Sequence, residues 1–398
     1  MRIVFVAPRA WPAFGGMEAF LHHLAGGLAA RGHDVRVLAQ GLDGGPRSRL
    51  ADSLRPPPSF QPFRDGAVAV EPIRLSPARR AALAPLVAQV VPVLRRHAYG
   101  RPRLAANRLY ARVAAPPLAA QAAGAAVVHA WGGDLLAAAT LRAGRLLGAP
   151  AAITPFAHAG QWGDVESFAA TYRRADRVLG LLQADAGLYE RLGVPRERIE
   201  VCGVCSPGVE PGGGAALRAR HGIDGPLVLF LGVRRPYKGC DLLLEAARSL
   251  PGATVAFVGP GDPVEPPAGV RAVDAGEVDE AERAAWLDAA DLLCLPSAAE
   301  ILPVSILEAW SARTPVVTSD IPPLRELVDR SGGGVACTRD AATLADTLRR
   351  LLADPARLRA LGEAGHAFWR RELSVEAVAA RHEALYAELA GEEAACAA

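Results

Sequence analysis

Apolar and polar positions along the first forty residues follow a pattern typical of a strand, a helix and a second strand. The apolar run Ile3–Ala7 predicts a buried strand, and apolar residues at helical spacing predict a helix over Met17–Ala30. Gly32 ends that helix, and Val35–Ala39 predicts the next strand. A strand–helix–strand unit of this kind indicates a parallel sheet covered by helices.

Similar apolar runs recur in two groups along the rest of the chain. The first group is Ala125–His129, Ala151–Pro155 and Val178–Leu182, and the second is Leu227–Val233, Thr254–Val258, Leu292–Leu295, Pro315–Thr318 and Gly334–Cys337. The Gly- and Pro-rich stretch Ser206–Gly214 lies between them and predicts a linker. The pattern therefore predicts an α/β protein with two Rossmann-like, doubly wound parallel-sheet domains that face each other across a cleft. In such sheets, ligands bind at the C-terminal ends of the strands.

The length of 398 residues is natural for two domains and long for a single core. We expect an N-terminal domain at residues 1–207, a C-terminal domain at 208–374 and a last segment at 375–398 whose helix covers about 375–389. Hydrophobic residues make up 51% of the chain and charged residues 22%, which predicts a folded globular protein. The net charge of +2 argues against nucleic acid or another bulk polyanion as a partner.

The apolar segments are too short or too interrupted to cross a membrane. The run Ile3–Val6 is followed closely by Pro8, and the Ala-rich stretch 114–139 contains Pro116, Pro117 and His129. The sequence therefore predicts a cytoplasmic protein.

A basic stretch in the first half leaves peripheral membrane contact open. Residues 72–133 contain no acidic residue and nine arginines, at positions 74, 79, 80, 95, 96, 101, 103, 108 and 112. Apolar residues interleave these arginines, and such a stretch suits an anionic membrane at its inner face or a phosphorylated acceptor. A solvated, arginine-rich surface accounts for the pattern equally well.

The six cysteines, at positions 202, 205, 240, 294, 337 and 396, do not form a metal-site pattern. Cys202 and Cys205 have the CxxC spacing of redox and zinc sites. No second pair lies at that spacing, and Cys202 belongs to a strand-like run. The sequence therefore predicts no metal and no redox cofactor.

Lysine occurs once among the 44 basic residues, at Lys238. A chain that uses arginine almost throughout is expected to keep a lysine where a compact point charge must fit beside a phosphate. Lys238 follows a predicted strand and precedes a helix, with Arg234 and Arg235 shortly before it. This loop predicts a diphosphate site formed by Lys238 and an arginine, either Arg234 or its neighbour Arg235, and a solvated basic loop is the alternative.

Two glutamates, Glu300 and Glu308, are separated by seven residues. The first follows the strand at 292–295, and the second is expected in the first turn of the next helix. Glu300 can accept hydrogen bonds from sugar hydroxyls and Glu308 from a ribose diol, while the helix N-terminal amides at Val304 and Ser305 face the diphosphate. Alternatively, Ser305-x-x-Glu308 is a capping box, which does not account for Glu300.

The run from Gly232 to Glu326 resembles the C-terminal domain of family 4 glycosyltransferases, the GT-B group with an E-x7-E motif. The matching segments are GVRRPYKGCDLLLEA, TVAFVGPGD, DAADLLCLPSAAEILPVSILEAW and TPVVTSDIPPLRELV. The resemblance implies retaining transfer of a sugar from a nucleotide-diphosphate sugar to a hydroxyl acceptor, without a required metal. It implies that Arg234 and Lys238 bind the diphosphate, Glu300 the donor sugar and Glu308 the ribose. It also implies an N-terminal acceptor domain, to which the last helix returns.

Residues of the first half are assigned mainly through the same resemblance. Gly15 and Gly16 precede the first helix, where paired glycines let amides approach an anion, and Gly15-Gly-Met-Glu18 resembles the GGxE of the family. His158 lies where family members place a histidine near the anomeric carbon, and we predict that it acts with Glu300 and Lys238. The remaining candidates lie on the acceptor side, although core or loop roles fit them too: His129, Trp162 and Asp164.

One departure from the family pattern concerns the residues after Glu300. Family members often carry glycines there, whereas this chain has Ile301, Leu302 and Pro303. Because Pro303 has no N–H group, the contacts to the donor sugar differ and the identity of the sugar cannot be carried over.

Two other functions remain as alternatives at this stage. A dinucleotide-binding oxidoreductase would require a G-x-G-x-x-G fingerprint. Gly259-Pro-Gly261 follows a strand, but Val264 replaces the third glycine. A non-catalytic relative that binds a sugar nucleotide is the second alternative.

Overall fold

The computed structural model describes residues 1–12, 15–42, 60–74, 76, 78, 101–133, 135–156, 165–300 and 302–391. The chain divides into two compact units, one formed by Met1–Val204 with Val378–Ala398 and the other by Cys205–Ala377. Each unit contains a β-sheet of its own that is connected through helices.

In the first unit, the described residues form an eight-stranded sheet with the order β3-β4-β2-β1-β5-β6-β7-β8. Its strands are β1 Arg2–Ala7, β2 Asp34–Ala39, β3 Phe63–Asp65, β4 Val68–Pro72, β5 Val127–Trp131, β6 Ala151–Thr154, β7 Arg177–Gly180 and β8 Ile199–Val201. Its helices are α1 Gly16–Ala30, α2 Arg101–Gln121, α3 Leu135–Leu147, α4 Val165–Tyr172 and α5 Gln183–Arg191. Only β3 pairs antiparallel, with β4, among these strands.

In the second unit, the described residues form a six-stranded parallel sheet with the order β11-β10-β9-β12-β13-β14. Its strands are β9 Leu227–Leu231, β10 Thr254–Val258, β11 Arg271–Gly276, β12 Leu292–Leu295, β13 Val316–Ser319 and β14 Gly334–Cys337. Its helices are α6 Gly214–His221, α7 Cys240–Ala247, α8 Glu280–Ala289, α9 Val304–Ser311, α10 Pro322–Ser331, α11 Ala341–Leu352 and α12 Pro355–Phe368.

The central strands of both sheets are buried along nearly their whole length. Every residue of β5, β9, β10 and β12 is buried. Helices cover both faces of such sheets, so their strands read as continuous apolar runs and do not alternate with polar residues. This is why the apolar runs in the sequence locate these strands well.

The direction in which successive strands are added to the second sheet reverses between β9 and β12. From β9 the chain builds outward through β10 to β11, and it then returns to place β12 on the other side of β9. The register of this pair sets Leu292 beside Val228 and Leu293 beside Leu229. Loops that leave the two strands diverge there, and ligands in open α/β sheets bind at such a switch point.

The last helix, α13 Val375–Ala390, contributes most of its length to the first unit. The Glu383 carboxylate pairs with Arg31 and accepts a 2.8 Å contact from His33 Nε2, and Glu388 pairs with Arg177. Tyr386 is fully buried against β1 and β5 through ring contacts with Phe5 and His129.

The predicted strands and the first and last helices are confirmed within a few residues. The sequence analysis did not predict the hairpin of β3 and β4 or β11 at the edge of the second sheet, whereas β8 lies in the strand-like run that ends near Cys202. β3 and β11 are partly exposed along their length, and β4 is short and alternates between buried and half-buried residues. Residues 207–213 have no regular structure, as expected for the Gly- and Pro-rich stretch. Across the described segments, no helix has the length and apolar character needed to span a bilayer.

Candidate functional site

Lys238 and Glu300 lie next to each other at the switch point of the second sheet. The Nζ of Lys238 donates to Oε1 of Glu300 at 2.5 Å, although the two residues are separated by 62 positions in the chain. Their side chains are 16% and 7% exposed. Lys238 lies beyond the end of β9 and Glu300 beyond the end of β12, so the sheet topology brings the two groups together.

One hydrogen bond joins the two loops that carry this pair, and a second lies within the loop of Glu300. The N–H of Ala298 donates to the Tyr237 carbonyl at 2.6 Å, and the Ser297 hydroxyl donates to Glu300 Oε1 at 2.7 Å. The ring of Tyr237 lies 5.4 Å from Lys238 Nζ. Lys238 and Glu300 are therefore held in place by the backbone around them, with a short 3₁₀ turn at Pro236–Lys238 leading into α7.

Arg234, the arginine predicted to bind phosphate, forms an ion pair with Asp274 of β11. Its Nη2 donates to the Gly261 carbonyl at 3.1 Å, and its backbone N–H donates to the Pro260 carbonyl at 2.8 Å. Burial opposes ionisation of Asp274, but hydrogen bonds from Val264 N–H, Arg234 and Gly276 N–H hold its pKa below the usual value. Arg234 thus links its own loop to the loop at Pro260–Gly261 and to strand β11.

Arg235, the second arginine of this loop, is exposed. The structure places the two arginines in different environments, because Arg234 is bound to a carboxylate and Arg235 is at the surface.

Glu308 is buried on α9 and pairs with an arginine of the preceding helix. Its Oε1 lies 3.3 Å from Nη1 of Arg283 on α8, and its side chain is 11% exposed. Burial raises the pKa of Glu308, and the positive charge of Arg283 partly offsets that shift. The carboxylate is therefore desolvated and depends on one guanidinium for compensation.

Two expectations about this helix are wrong. The helix begins at Val304 with Pro303 as its N-cap, so Glu308 lies in the second turn and not in the first. Ser305 is an interior residue of the first turn and cannot form the capping box with Glu308. The backbone N–H groups of Val304 and Ser305 belong to the first turn, whose amides have no acceptor within the helix, and they give this end of α9 a partial positive charge.

The Gly15–Gly16 pair begins α1 in the first unit. Gly15 is the N-cap with φ of 158°, and a Cβ there would collide with the Glu18 carboxylate. Glu18 is 4% exposed and pairs with Nε of Arg9 at 2.9 Å. The glutamate of the GGxE segment therefore folds back over the glycines. A donor-binding role for Gly15 and Gly16 stays a prediction.

His129, predicted as an acceptor-side residue, is instead a core residue of the first unit. It has no exposed surface, its Nδ1 lies 2.5 Å from the Tyr386 hydroxyl, and its Nε2 lies 2.9 Å from the Thr154 hydroxyl. Burial, with a smaller effect of His382, lowers the pKa of His129 well below its usual value. Both ring nitrogens are occupied, and the expectation that His129 contacts an acceptor is wrong.

The CxxC cysteines are likewise buried thiols. Burial raises the pKa of Cys202 to about 12 and the pKa of Cys205 still further. Within the described ranges, no group of three His, Cys, Asp or Glu side chains is arranged to hold a metal ion.

Comparison with known proteins identifies the family. Residues 15–205 match the model described as a glycosyl transferase 4-like domain, and residues 225–354 match that of glycosyl transferases group 1. These two segments cover most of the chain. The chain belongs to the glycosyltransferase family that these two domain models describe. The dinucleotide-binding oxidoreductase considered from the sequence finds no support in either half of the glycosyltransferase.

A D-inositol 3-phosphate glycosyltransferase of Frankia alni is 33% identical over 264 residues, which cover 59% of this chain and 57% of that relative. The glycosyltransferase described here thus spans little more than half the length of that relative.

Solved structures share the fold of the glycosyltransferase over nearly its whole length. Sucrose-phosphate synthase of Thermosynechococcus elongatus matches 98% of this chain and 100% of that chain, with a TM-score of 0.70 and 20% identity. HepE of Anabaena, solved with UDP-glucose, matches 97% of this chain and 99% of that chain, with a TM-score of 0.68 and 17% identity. The glycosyltransferase has the GT-B fold, with two parallel-sheet α/β domains.

The structure brings two of the predicted residues of the second half into contact and places three others on one helix. Lys238 and Glu300 are in contact, and Val304 and Ser305 begin the helix that carries Glu308. The other predicted residues of the first half, His158, Trp162 and Asp164, lie outside the described residues, and so do the arginines at 79, 80, 95 and 96 of the basic stretch.

Three residues of the site were missed from the sequence: Ser297, Asp274 and Arg283. Ser297 lies in the segment PSAAE beside Glu300, so its position was visible in the motif. Asp274 and Arg283 lie between the matched segments, on an unpredicted strand and on a polar helix face, where only the tertiary structure shows what they contact.

Proposed function

We propose that this chain transfers a glycosyl group from a nucleoside-diphosphate sugar to a hydroxyl acceptor, with retention of anomeric configuration. The observation that carries the proposal is the Lys238–Glu300 pair at the switch point between β9 and β12. A cation and a carboxylate there offer one group to a phosphate and one to sugar hydroxyls.

Lys238 is the proposed ligand of the donor diphosphate. Of its three N–H donors, one is directed to Glu300, which leaves donors for phosphate oxygens. The first-turn amides of Val304 and Ser305 add a partial positive charge for the same anion. These groups would stabilise the negative charge that grows on the diphosphate as it leaves.

Glu300 and Glu308 are the proposed ligands of the donor hydroxyls. Oε1 of Glu300 already accepts from Lys238 and Ser297, so Oε2 is the oxygen offered to a sugar hydroxyl. Glu308 is the carboxylate proposed for the ribose diol, since two acceptor oxygens match two hydroxyl donors.

In the proposed reaction, the acceptor oxygen forms a bond to the anomeric carbon while the bond from that carbon to the diphosphate oxygen breaks. The acceptor proton passes to the departing phosphate oxygen on the same face of the sugar, which balances the step without a metal or a redox partner. His158 remains the residue predicted to lie near the anomeric carbon.

For the acceptor and for an anionic partner, we propose only a chemical class. The relative from Frankia alni is named for D-inositol 3-phosphate, so a polyol phosphate is the first acceptor to try. On α2, Arg108 and Arg112 are exposed beside Leu109, which is 41% exposed. These side chains support contact with a phosphorylated acceptor or an anionic membrane surface.

The donor is tested first by thermal shift with UDP, GDP, ADP and their glucose and mannose derivatives, since a bound ligand raises the melting temperature. The nucleotide released in the presence of inositol 3-phosphate and other polyols is then measured, and NMR of the product reports the anomeric configuration. If the protein binds a nucleotide sugar but releases no nucleotide with any of the acceptors, it is a non-catalytic relative.

The role of Lys238 is tested by substitution. We expect Lys238→Ala to lower the rate of nucleotide release about 100-fold or more, because a charged donor to the leaving group is lost. Arg248→Ala, which removes an exposed arginine paired with Glu245, is the matched control and should leave the rate unchanged. Full turnover by Lys238→Ala would contradict the diphosphate role.

A further inference from the structure

We infer that Arg283 is a positioning residue for the ribose of the donor, and that it acts through Glu308 by keeping that carboxylate ionised and fixed in orientation. The inference rests on the proposed function, in which Glu308 accepts the ribose hydroxyls. Arg283 lies in none of the segments that carry the family resemblance.

The geometry joins two helices that flank β12. Arg283 is in the first turn of α8, which precedes β12, and Glu308 is on α9, which follows it. The Asp279 side chain caps α8 by accepting from the Glu282 N–H at 2.8 Å, and this cap fixes the helix start from which Arg283 extends. Nη1 of Arg283 then reaches Oε1 of Glu308 at 3.3 Å.

The charges around Glu308 make its ionisation depend on Arg283. Burial raises the pKa of Glu308, and from α8 Arg283 favours the charged carboxylate while Glu280 disfavours it. The rest of α9 carries no charged side chain. On α12, His366 is directed to the Trp310 and Ser311 carbonyls at the other end of α9. Among the described residues, Arg283 is therefore the cation that compensates Glu308.

The protonation state of Glu308 matters because the two ribose hydroxyls need two hydrogen-bond acceptors. An ionised carboxylate presents acceptors on both oxygens, whereas a protonated one turns one oxygen into a donor. If Glu308 is protonated, one of the two ribose hydroxyls therefore loses the carboxylate oxygen to which it would donate. Keeping Glu308 ionised is thus a condition for the contact that the proposed function assigns to it.

The Arg283 side chain is not arranged for stability alone. Its Nε is buried and has no hydrogen-bond partner among the described residues, and its contact with Glu280 is at 4.0 Å. A buried N–H without a partner costs about 1–3 kcal/mol, and a role at a binding site is one explanation for keeping such a group. The arrangement therefore favours a role for Arg283 in the site of Glu308.

The test measures the affinity for UDP, GDP and ADP by titration calorimetry near pH 6, 7 and 8.5, with every value divided by that of the wild type at the same pH. We expect Arg283→Gln to weaken binding most at the lowest pH, by at most about tenfold for each unit by which the pKa of Glu308 rises, because the ratio of protonated to ionised carboxylate changes tenfold per unit. The loss should shrink as the pH rises towards 8.5, because a growing fraction of Glu308 is ionised even without Arg283. Arg283→Lys should restore binding at all three pH values.

Substitutions at Glu308 separate this role from a direct contact of Arg283 with the nucleotide. Glu308→Gln should weaken binding at every pH, and adding Arg283→Gln to it should change nothing further. A loss that persists in the Glu308→Gln background, or a pH-independent loss, would overturn the inference. Wild-type affinity of Arg283→Gln at every pH would overturn it too.

Failure of the proposed function gives a different result. In that case neither Lys238→Ala nor Glu308→Gln weakens binding of any of the three nucleotides. Circular dichroism and the melting temperature confirm that each variant is folded. If Arg283→Gln does not fold, Arg283→Lys and Arg283→Met provide the same comparison, with charge retained in one and lost in the other.

Discussion

Gly239 packs against the carbonyl oxygen of Pro296 so closely that no Cβ fits between them. Gly239 is the N-cap of α7 after the loop of Lys238, and Pro296 begins the loop of Glu300. The same Pro296 carbonyl accepts from Arg339 Nε at 3.0 Å. The close approach of these two backbones is what allows Lys238 to reach Glu300.

We expect Gly239→Ala to destabilise the second unit and to weaken nucleotide binding together. Gly239 has φ of 79°, where an L-residue costs about 1–2 kcal/mol, and the collision with Pro296 adds to that cost. Urea unfolding gives the first effect and nucleotide thermal shift the second. Gly212→Ala is the control, since open space surrounds Gly212. A Gly239→Ala variant as stable as Gly212→Ala would refute the packing argument.

Substitutions in the Lys238–Glu300 pair are expected to affect the unfolding free energy and the transferase activity differently. In Lys238→Met, the buried Glu300 carboxylate loses its cation, and we expect a loss of about 2–4 kcal/mol of unfolding free energy. Adding Glu300→Gln removes the uncompensated charge, so the double variant should regain most of that stability but none of the transferase activity. Urea unfolding and nucleotide release measure the two quantities. Equal stability of the single and double variants would argue against a coupled pair.

The cysteines are expected to be unreactive in the folded protein. Burial raises the pKa of Cys202 to about 12 and that of Cys205 further, and it raises the pKa of Cys240 to about 11. Since the thiolate is the reactive form, iodoacetamide near pH 8 should label these three side chains far more slowly in the native state than in guanidinium. Mass spectrometry identifies the labelled residues. Rapid native labelling of Cys202 or Cys205 would restore a redox role for the CxxC segment.

The buried histidines of the first unit predict a loss of stability in acid. Burial lowers the pKa of His382 to about 4 from 6.5, and His129 is shifted in the same direction. Because the unfolded chain binds more protons than the folded chain below pH 6.5, the unfolding free energy falls as pH decreases from 6.5 towards 4. Each histidine contributes a slope of up to about 1.4 kcal/mol per pH unit.

The measurement is the urea-unfolding free energy at several pH values between 4.5 and 7.5. His382→Gln keeps a polar side chain that does not titrate, so its pH dependence should be flatter than that of the wild type. His22→Gln changes a histidine that is 41% exposed and serves as the control. An unchanged slope in His382→Gln would show that its proton uptake is not linked to unfolding.

Much of the candidate site was predictable from the sequence, because its chemistry depends on residues in short segments. Lys238 was conspicuous as the single lysine, and Glu300 and Glu308 were conspicuous through their spacing around a strand and a helix start. His129 was misplaced because a histidine at a strand end has the same sequence signature in the core and at a ligand site. Only its contacts with Tyr386 and Thr154 decide between the two.

By itself, the sequence determined the two parallel sheets, the family and the loops that carry Lys238 and Glu300. Local runs of apolar residues specify the buried strands, and glycines specify the turns that follow them. The tertiary structure alone decided that Arg234 is bound to Asp274 and that Glu308 is compensated by Arg283. The members of these pairs are 40 and 25 residues apart in the chain. Their contacts arise from the order of strands in the sheet, and no local pattern of residues encodes that order.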